Sequence, residues 1–169
     1  MRFVKLCLPL LILVCGGCGY KLTTKQANAG EGRTIAVPTF SNTTTTYRVE
    51  QRLSDALRRE LVQRTKYKVA SGESGDILVT GEVLRYSASP STINSGRASS
   101  YIISVEVRIA VTDTRSGEVL YQNPSMRFQE NFEMAPNSGQ FVPEEPAAVD
   151  RVAAAFASTL VASLITRKP

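Results

Sequence analysis

The chain has 169 residues, no histidine, no tryptophan, three cysteines and a formal charge of +5. The lack of histidine excludes histidine-based catalysis and histidine metal ligation, and we expect no cofactor and no metal site. The positive charge is too mild to indicate a nucleic acid partner.

The first seventeen residues have the pattern of a secretory signal peptide. Arg2 and Lys5 precede an uninterrupted apolar run over residues 6–14, which is too short to span a bilayer well. The expected cut before Cys18 resembles the bacterial lipoprotein box, in which the cysteine takes diacylglycerol and then an acyl chain such as palmitate. An ordinary cleaved signal peptide or an uncut anchor is the alternative. We expect lipidation of Cys18.

Three segments follow from this prediction. Residues 1–17 form the signal peptide, residues 18–32 form a polar tether behind the lipid, and residues 33–169 form a single domain. Loss of Arg2 and Lys5 lowers the charge to +3, with 18 basic residues against 15 acidic ones. Because the other two cysteines leave with the signal peptide, packing alone has to hold this exported domain together.

The first half of the domain predicts two strands around a helix. A strand is expected over residues 33–40, limited to an edge or an end by Pro38. Residues 41–46 supply helix N-cap candidates. Leucines four apart then predict a helix over residues 49–65. After a short strand or helix exit at residues 67–70, a strand is expected over residues 76–86, with a bulge or a close backbone approach at Gly81.

The second half predicts further strands and a closing helix. Residues 87–100 are small and polar and are expected to form a long loop. Residues 101–113 alternate strictly between apolar and polar side chains, which predicts the longest strand, and a hairpin leads into a strand at 118–122. Apolar alternation continues past Pro124 as a bent strand or a new one. After a second loop over residues 134–146, an alanine-rich helix closes the chain.

These elements predict an α+β fold. We expect a two-layer sandwich with a mostly antiparallel sheet of about four strands and two helices packed on one of its faces. The sequence indicates neither an internal repeat nor a second domain.

The order of short motifs resembles the LptE family of lipopolysaccharide-assembly lipoproteins. The motifs are individually weak, and their order along nearly the whole mature chain carries the resemblance. They are Cys18-Gly19-Tyr20-Lys21-Leu22, the run IAVPTFSNTT at residues 35–44, the leucine helix, Gly81-Glu82-Val83, Gly96-Arg97-Ala98 leading to Tyr101, DTRSGEVL at residues 113–120, and the closing helix.

The resemblance implies a role in export and not in catalysis. Proteins of this family sit inside the LptD β-barrel of the outer membrane as plug and assembly partner, and they bind lipopolysaccharide on its way to the outer leaflet. The expected location is therefore the outer membrane, with the domain lipid-anchored and facing the periplasm and the barrel lumen. Gly19 after the lipidated cysteine also fits sorting to the outer membrane.

Two other classes of function remain as alternatives. The opening at residues 33–44 also fits the CsgG-like and LpoB-like lipoproteins, which form secretion pores or activate cell-wall synthases. An enzyme is disfavoured, because no pair of acidic residues stands out from ordinary surface charge.

Four cations are candidate contacts for lipid phosphate. Arg97 is the main candidate, because it is the only charge in the loop over residues 87–100 and precedes the longest strand. Its region is one where the resemblance implies lipid contacts. Lys66, Lys68 and Arg85 are the substitutes.

Overall fold

The computed structural model describes residues 30–94, 97–133 and 144–166. Its elements in chain order are six strands and two helices. They are β1 (Thr34–Ala36), β2 (Ser41–Asn42), α1 (Val49–Arg64), β3 (Lys68–Ala70), β4 (Ile77–Asn94), β5 (Arg97–Asp113), β6 (Val119–Glu133) and α2 (Glu144–Thr166).

The strands form one mixed sheet. Its order is β3-β1-β4-β5-β6, and β2 pairs with β4 farther along the same edge that β1 occupies. The pairs β1–β3, β1–β4 and β2–β4 are parallel, while β4–β5 and β5–β6 are antiparallel. The α+β class with two helices is therefore confirmed, but the prediction of about four mostly antiparallel strands is wrong. The parallel half arises because α1 is a crossover connection that brings β3 back alongside β1.

Both helices and one face of the sheet share a single hydrophobic core. The leucines of α1, at positions 53, 57 and 61, are buried together with Phe156 and Leu160 of α2. The alternate residues of β5 from Ile103 to Val111 are also buried, as their period of two predicts. Phe156 meets the rings of Phe40 and Phe128 edge-on, at centroid distances of 5.9 and 5.8 Å.

Among the described residues, one helix is long and apolar enough to cross a bilayer, over Glu145–Thr166 of α2. Its apolar side chains at Val152, Phe156 and Leu160 are buried in the core. Packing against the sheet and α1 accounts for its hydropathy.

Pro38 and Gly81 have local structural roles that the sequence indicates. The strand that contains residues 34–36 ends before Pro38, as expected, and the chain resumes pairing at Ser41. A Cβ added at Gly81 would lie 2.7 Å from the Phe40 ring, so this glycine allows the predicted close approach. The bulge in this part of β4 lies between Val83 and Arg85 instead.

The start of α1 differs from the prediction. Its N-cap residue is Arg48, which has a left-handed backbone (φ 63°) and no side-chain capping hydrogen bond. The polar side chains of residues 41–46 form hydrogen bonds within this segment instead. Thr44 Oγ1 donates to Asn42 Oδ1, and Asn42 Nδ2 donates to the backbone carbonyl of Thr46, both at 2.8 Å. The predicted caps stabilise the preceding turn.

The largest correction concerns residues 87–100. The sequence predicts a loop here, but β4 extends to Asn94 and β5 begins at Arg97, and these two residues pair with each other. β6 likewise continues through Pro124 as one strand, with an irregular register between the pairs Val107–Met126 and Ile109–Asn123. Of the second predicted loop, residues 134–143 lie outside the described part of the chain.

Candidate interaction surface

The end of the sheet where the chain enters the domain is held by ionic contacts. Arg33 pairs with Asp113, and the backbone N–H of Thr34 donates to Asp76 at 2.8 Å. The hydrogen bond from Arg33 is the main cause that lowers the pKa of Asp113, and the hydrogen bond from Thr34 lowers the pKa of Asp76. We call this the proximal end, because the predicted tether joins the domain here.

A β-hairpin extends to the opposite, distal end, and β6 pairs with its β5 strand as far as Ser100. β4 has 18 residues, which at about 3.3 Å per residue corresponds to roughly 60 Å from end to end. All its side chains from Ser87 to Ile93 are exposed, and Ile93 is 70% exposed. We call residues 87–94 of β4 and the paired residues 97–104 of β5 the arm. The described β4 strand of the arm carries no charged residue.

The base of the arm is tied to α2. The phenol of Tyr86 donates a hydrogen bond to Glu145 at 2.6 Å. Burial, together with this carboxylate neighbour, raises the pKa of Tyr86, so the phenol stays protonated at neutral pH. On the neighbouring strands, the ring of Tyr101 stacks on that of Phe132 at 5.5 Å. These contacts fix the direction in which the arm leaves the core.

The structure does not bring the four predicted cations together. Lys66 follows α1, where it lies 3.9 Å from Glu31, and Lys68 belongs to the short strand β3. Arg97 begins β5 opposite Asn94, although its side chain lies outside the described part. Arg85 precedes Asn94 by nine positions on β4, which is about 30 Å along an extended strand.

Arg85 belongs to an ionic group on the outer face of the sheet. Its guanidinium lies 3.7 Å from Glu106, which also pairs with Arg127 at 3.3 Å. Ser125 Oγ donates a hydrogen bond to the same carboxylate at 2.7 Å, and this contact is the main cause of the lowered pKa of Glu106. Arg85 is still 72% exposed, so it remains accessible to an anionic ligand.

Sequence reasoning missed one exposed feature near the base of the arm. The Tyr47 ring is 78% exposed, and the guanidinium of Arg48 lies 4.8 Å from its centroid. These residues follow β2, whose Asn42 pairs with Val83 of β4, so they lie toward the distal end. In the sequence, this exposed pair is indicated by a tyrosine and an arginine that directly follow four threonines. Such a pair is typical of residues that anchor protein interfaces.

No three His, Cys, Asp or Glu side chains of the described residues are grouped so that they could hold a metal ion. The described surface provides backbone hydrogen-bonding groups on exposed strands, the aromatic–arginine pair of Tyr47 and Arg48, and cations that lie apart from one another. These groups are suited to binding a protein or an anionic lipid.

Comparison with known proteins identifies a family. The family model described as "LptE: Lipopolysaccharide-assembly" matches residues 32–164. The match favours the first of the two lipoprotein families that the opening segment resembles. No curated protein matches the chain.

Several solved structures share the fold. A putative lipoprotein from Caulobacter crescentus is 15% identical with a TM-score of 0.53, over 78% of this chain and 93% of that one. Uncharacterized lipoprotein B from Nitrosomonas europaea is 10% identical with a TM-score of 0.53, over 86% and 88% of the two chains. PelC from Paraburkholderia phytofirmans, solved as a dodecamer, is 16% identical with a TM-score of 0.51, over 82% and 92%. At these identities the likeness establishes the fold alone.

Proposed function

The chain belongs to the LptE family of lipopolysaccharide-assembly proteins, and we propose that it assembles with an LptD-type β-barrel, plugs the barrel and assists insertion of lipopolysaccharide into the outer leaflet. The main support for this proposal is the family match, which covers nearly the whole domain. The arm, at the opposite end of the domain from the tether, supports it. The protein acts by binding, and it makes and breaks no covalent bond.

The proposed anchor is the lipid on Cys18. After removal of residues 1–17, acyl chains on this cysteine hold the protein in the outer membrane, with the domain in the periplasm and the barrel lumen. Each buried methylene contributes about 0.8 kcal/mol, so several chains hold the protein far more firmly than a reversible single chain does. Residues 18–32 are the tether between the lipid and the ionic contacts of the proximal end.

The dimensions of the arm fit the lumen of a barrel. The eight β4 residues from 87 to 94 extend over about 26 Å, which is close to the roughly 30 Å of a bilayer's hydrocarbon core. Their small, uncharged side chains suit a polar lumen and allow close approach to its wall. The exposed pair of Tyr47 and Arg48 lies where the rim of such a barrel would meet the domain.

The proposed ligand is lipopolysaccharide, held through its phosphate groups. Arg97 is the foremost candidate, because the arm places its backbone farthest from the proximal end, where a lipid moving to the outer leaflet would pass. Arg85 is the second candidate, since its guanidinium is exposed although paired with Glu106. Lys66 and Lys68 lie away from the arm and are weaker candidates on geometry.

Affinity purification from solubilised outer membranes tests the proposal. A tagged form of the full chain should recover an LptD-type barrel in a molar amount roughly equal to its own, together with lipopolysaccharide. A tagged, unrelated outer-membrane lipoprotein serves as the control. Recovery of a cell-wall synthase or of a secretion pore, without the barrel, would overturn the proposal.

A further inference from the structure

One edge of β4 is open along the arm. β2 pairs with β4 only through Ser41–Glu82 and Asn42–Val83, after which Thr43 N–H donates to Val83 O at 3.1 Å. Beyond this point, no strand within the described ranges pairs with that side of β4, although β5 continues to pair on the other side as far as Asn94. The outward backbone groups of residues 86–94 therefore form an edge that another strand can extend.

The direction of the backbone groups follows from the contacts with β2. The carbonyls of Gly81 and Val83 both point toward β2, since they accept hydrogen bonds from Ser41 Oγ and Thr43 N–H. Val83 is buried in the core and Gly81 lies under the Phe40 ring, so both positions face the core. Because side-chain face and backbone direction alternate together along a strand, core-facing residues of β4 direct their N–H and C=O groups to the open edge.

Past the bulge, this rule identifies three residues. Tyr86, Ala88 and Pro90 face the core side, because they pair with Val105, Ile103 and Tyr101 of β5. Their backbone groups therefore point outward. Pro90 has no N–H to offer, and proline is found on edge strands with its nitrogen turned away from the ladder. The position of this proline agrees with the direction derived from β2.

The other long edge of the sheet is protected. On β6, Arg151 of α2 donates to the carbonyl of Asn131 at 3.2 Å and pairs with Glu130 at 2.6 Å. Pro124 and the charged side chain of Arg127 also lie on this strand. These are the features by which proteins prevent unwanted strand pairing, and the β4 edge between Tyr86 and Asn94 has only Pro90.

We propose that the open β4 edge of the arm receives one extended strand from the barrel partner, bound by backbone hydrogen bonds to Tyr86, Ala88 and Pro90. This inference rests on the proposed function. A closed barrel has no free strand edge, so the added strand is a loop or terminal segment of the partner that enters the lumen, not a strand of its wall. Small side chains at Ser87, Ala88 and Ser89 let that strand approach, and the lack of charge on this edge selects an uncharged strand.

Amide hydrogen exchange on the purified complex tests the inference. In the free chain, the amides of Tyr86 and Ala88 should exchange rapidly, while those of Ser87 and Ser89 are protected by β5. In the complex, the Tyr86 and Ala88 amides should slow at least tenfold, which restores uniform protection along the strand. Unchanged exchange at Tyr86 and Ala88 in a complex that does form overturns the inference and leaves the proposed function intact. Failure to recover any barrel overturns both.

A variant pair tests the same hydrogen bonds without spectroscopy. Ala88→Pro removes one outward N–H and should weaken barrel recovery about tenfold, as expected for loss of a hydrogen bond whose partner stays buried. Ala88→Ser keeps the N–H and should bind as the original chain does. Equal recovery of both variants contradicts the inference. Slowed exchange at Tyr86 and Ala88 that grows with the concentration of the chain alone would show that a second copy occupies the edge, and this also overturns it.

Discussion

At the scale of single residues, the proximal end depends on two carboxylates that are stabilised in their ionised form. Hydrogen bonds from Arg33 and Thr34 lower the pKa values of Asp113 and Asp76 in the folded state. A lowered folded-state pKa gives stability that is complete above the unfolded value of about 4 and is lost as the pH falls through the folded value.

We therefore expect the mature domain to lose thermal stability as the pH is lowered from about 5 to 2. Asp113→Asn should flatten this dependence, because it removes one of the groups that binds a proton on unfolding. Glu133→Gln, at an exposed position of β6, is the matched control and should keep the original profile. Melting temperatures across the pH range provide the measurement, and an unchanged slope in Asp113→Asn contradicts the role given to this residue.

Replacement of the lipidation residue gives a second prediction. Cys18→Ala should yield a soluble periplasmic form or an uncut precursor, since no thiol remains to take the lipid. Fractionation of the cells, with mass spectrometry of the N-terminus, is the measurement. Cys15→Ala is the control and should remain acylated. A mature, acylated and membrane-bound Cys18→Ala protein would show that the lipid is attached elsewhere.

Arg97 provides the prediction for lipid binding. A charge-assisted hydrogen bond contributes about 1.5–3 kcal/mol, so Arg97→Glu should weaken lipopolysaccharide binding about ten- to a hundredfold at low salt. Arg59→Glu, on the exposed side of α1, is the control for a general change in charge. Titration of purified protein, with the fold checked by circular dichroism, provides the measurement. Equal affinity of Arg97→Glu and the original chain at low and moderate salt rules out a phosphate contact.

At the scale of secondary structure elements, the sequence predicts those that bury one face. The leucines of α1 and the alternating residues of β5 are correctly placed, because burial imposes periods of 3.6 and 2 on the side chains. The arm was missed for the same reason. Its β4 strand is exposed on both faces from Ser87 to Ile93, so no apolar alternation marks it as a strand. These residues form a strand because they pair with β5, and no local helix or turn signal in the sequence indicates that pairing.

The sequence predicts a strand where β1 lies and allows one where β3 lies, but it does not indicate their parallel pairing with each other and with β4. β2 contains two residues, which is too short for a periodic signal. The candidate cations illustrate the same limit at the interaction surface. Charge and position indicate Arg97 and Arg85, yet the distance between them depends on the extension of β4 and β5 over residues that the sequence predicts as a loop. The ion pair between Arg85 and Glu106 depends on the register of two strands.

Shortening the arm is the prediction at this scale. Residues 92–99 can be replaced by Asn-Gly, which forms a two-residue hairpin turn between Ser91 and Ser100, the positions that follow the Pro90–Tyr101 pair in regular register. The domain should keep its stability within about 1 kcal/mol, because the described side chains that are removed, those of residues 92 and 93, are exposed. Barrel recovery should fall sharply.

The control for this variant is Ser91→Ala at unchanged length. It removes the hydroxyl contact to Ser100 but leaves the reach of the arm as it was. Full recovery of the barrel by the shortened, folded chain would mean that the end of the arm is not needed for binding, and that the retained edge from Tyr86 to Pro90 or the pair of Tyr47 and Arg48 is sufficient. Deletion of part of residues 89–95 should also weaken barrel recovery and leave the isolated domain folded.

At the scale of the whole molecule, the proposed function gives the two ends of the sheet separate roles. The proposed tether leads to the proximal end, where Arg33, Asp113 and Asp76 lie, and the distal end carries the arm. The length of β4, about 60 Å, exceeds the thickness of a bilayer's hydrocarbon core by a factor of about two. One sheet is therefore long enough to connect the proposed anchor in the inner leaflet with an arm in the proposed barrel lumen.

We expect this chain to be required for lipopolysaccharide to reach the cell surface. This requirement is tested by labelling surface lipopolysaccharide with a membrane-impermeant reagent after depletion of the protein. Depletion should lower the labelled fraction, the original chain should restore it, and the form with the shortened arm should not. Undiminished surface lipopolysaccharide in fully depleted cells would contradict the account.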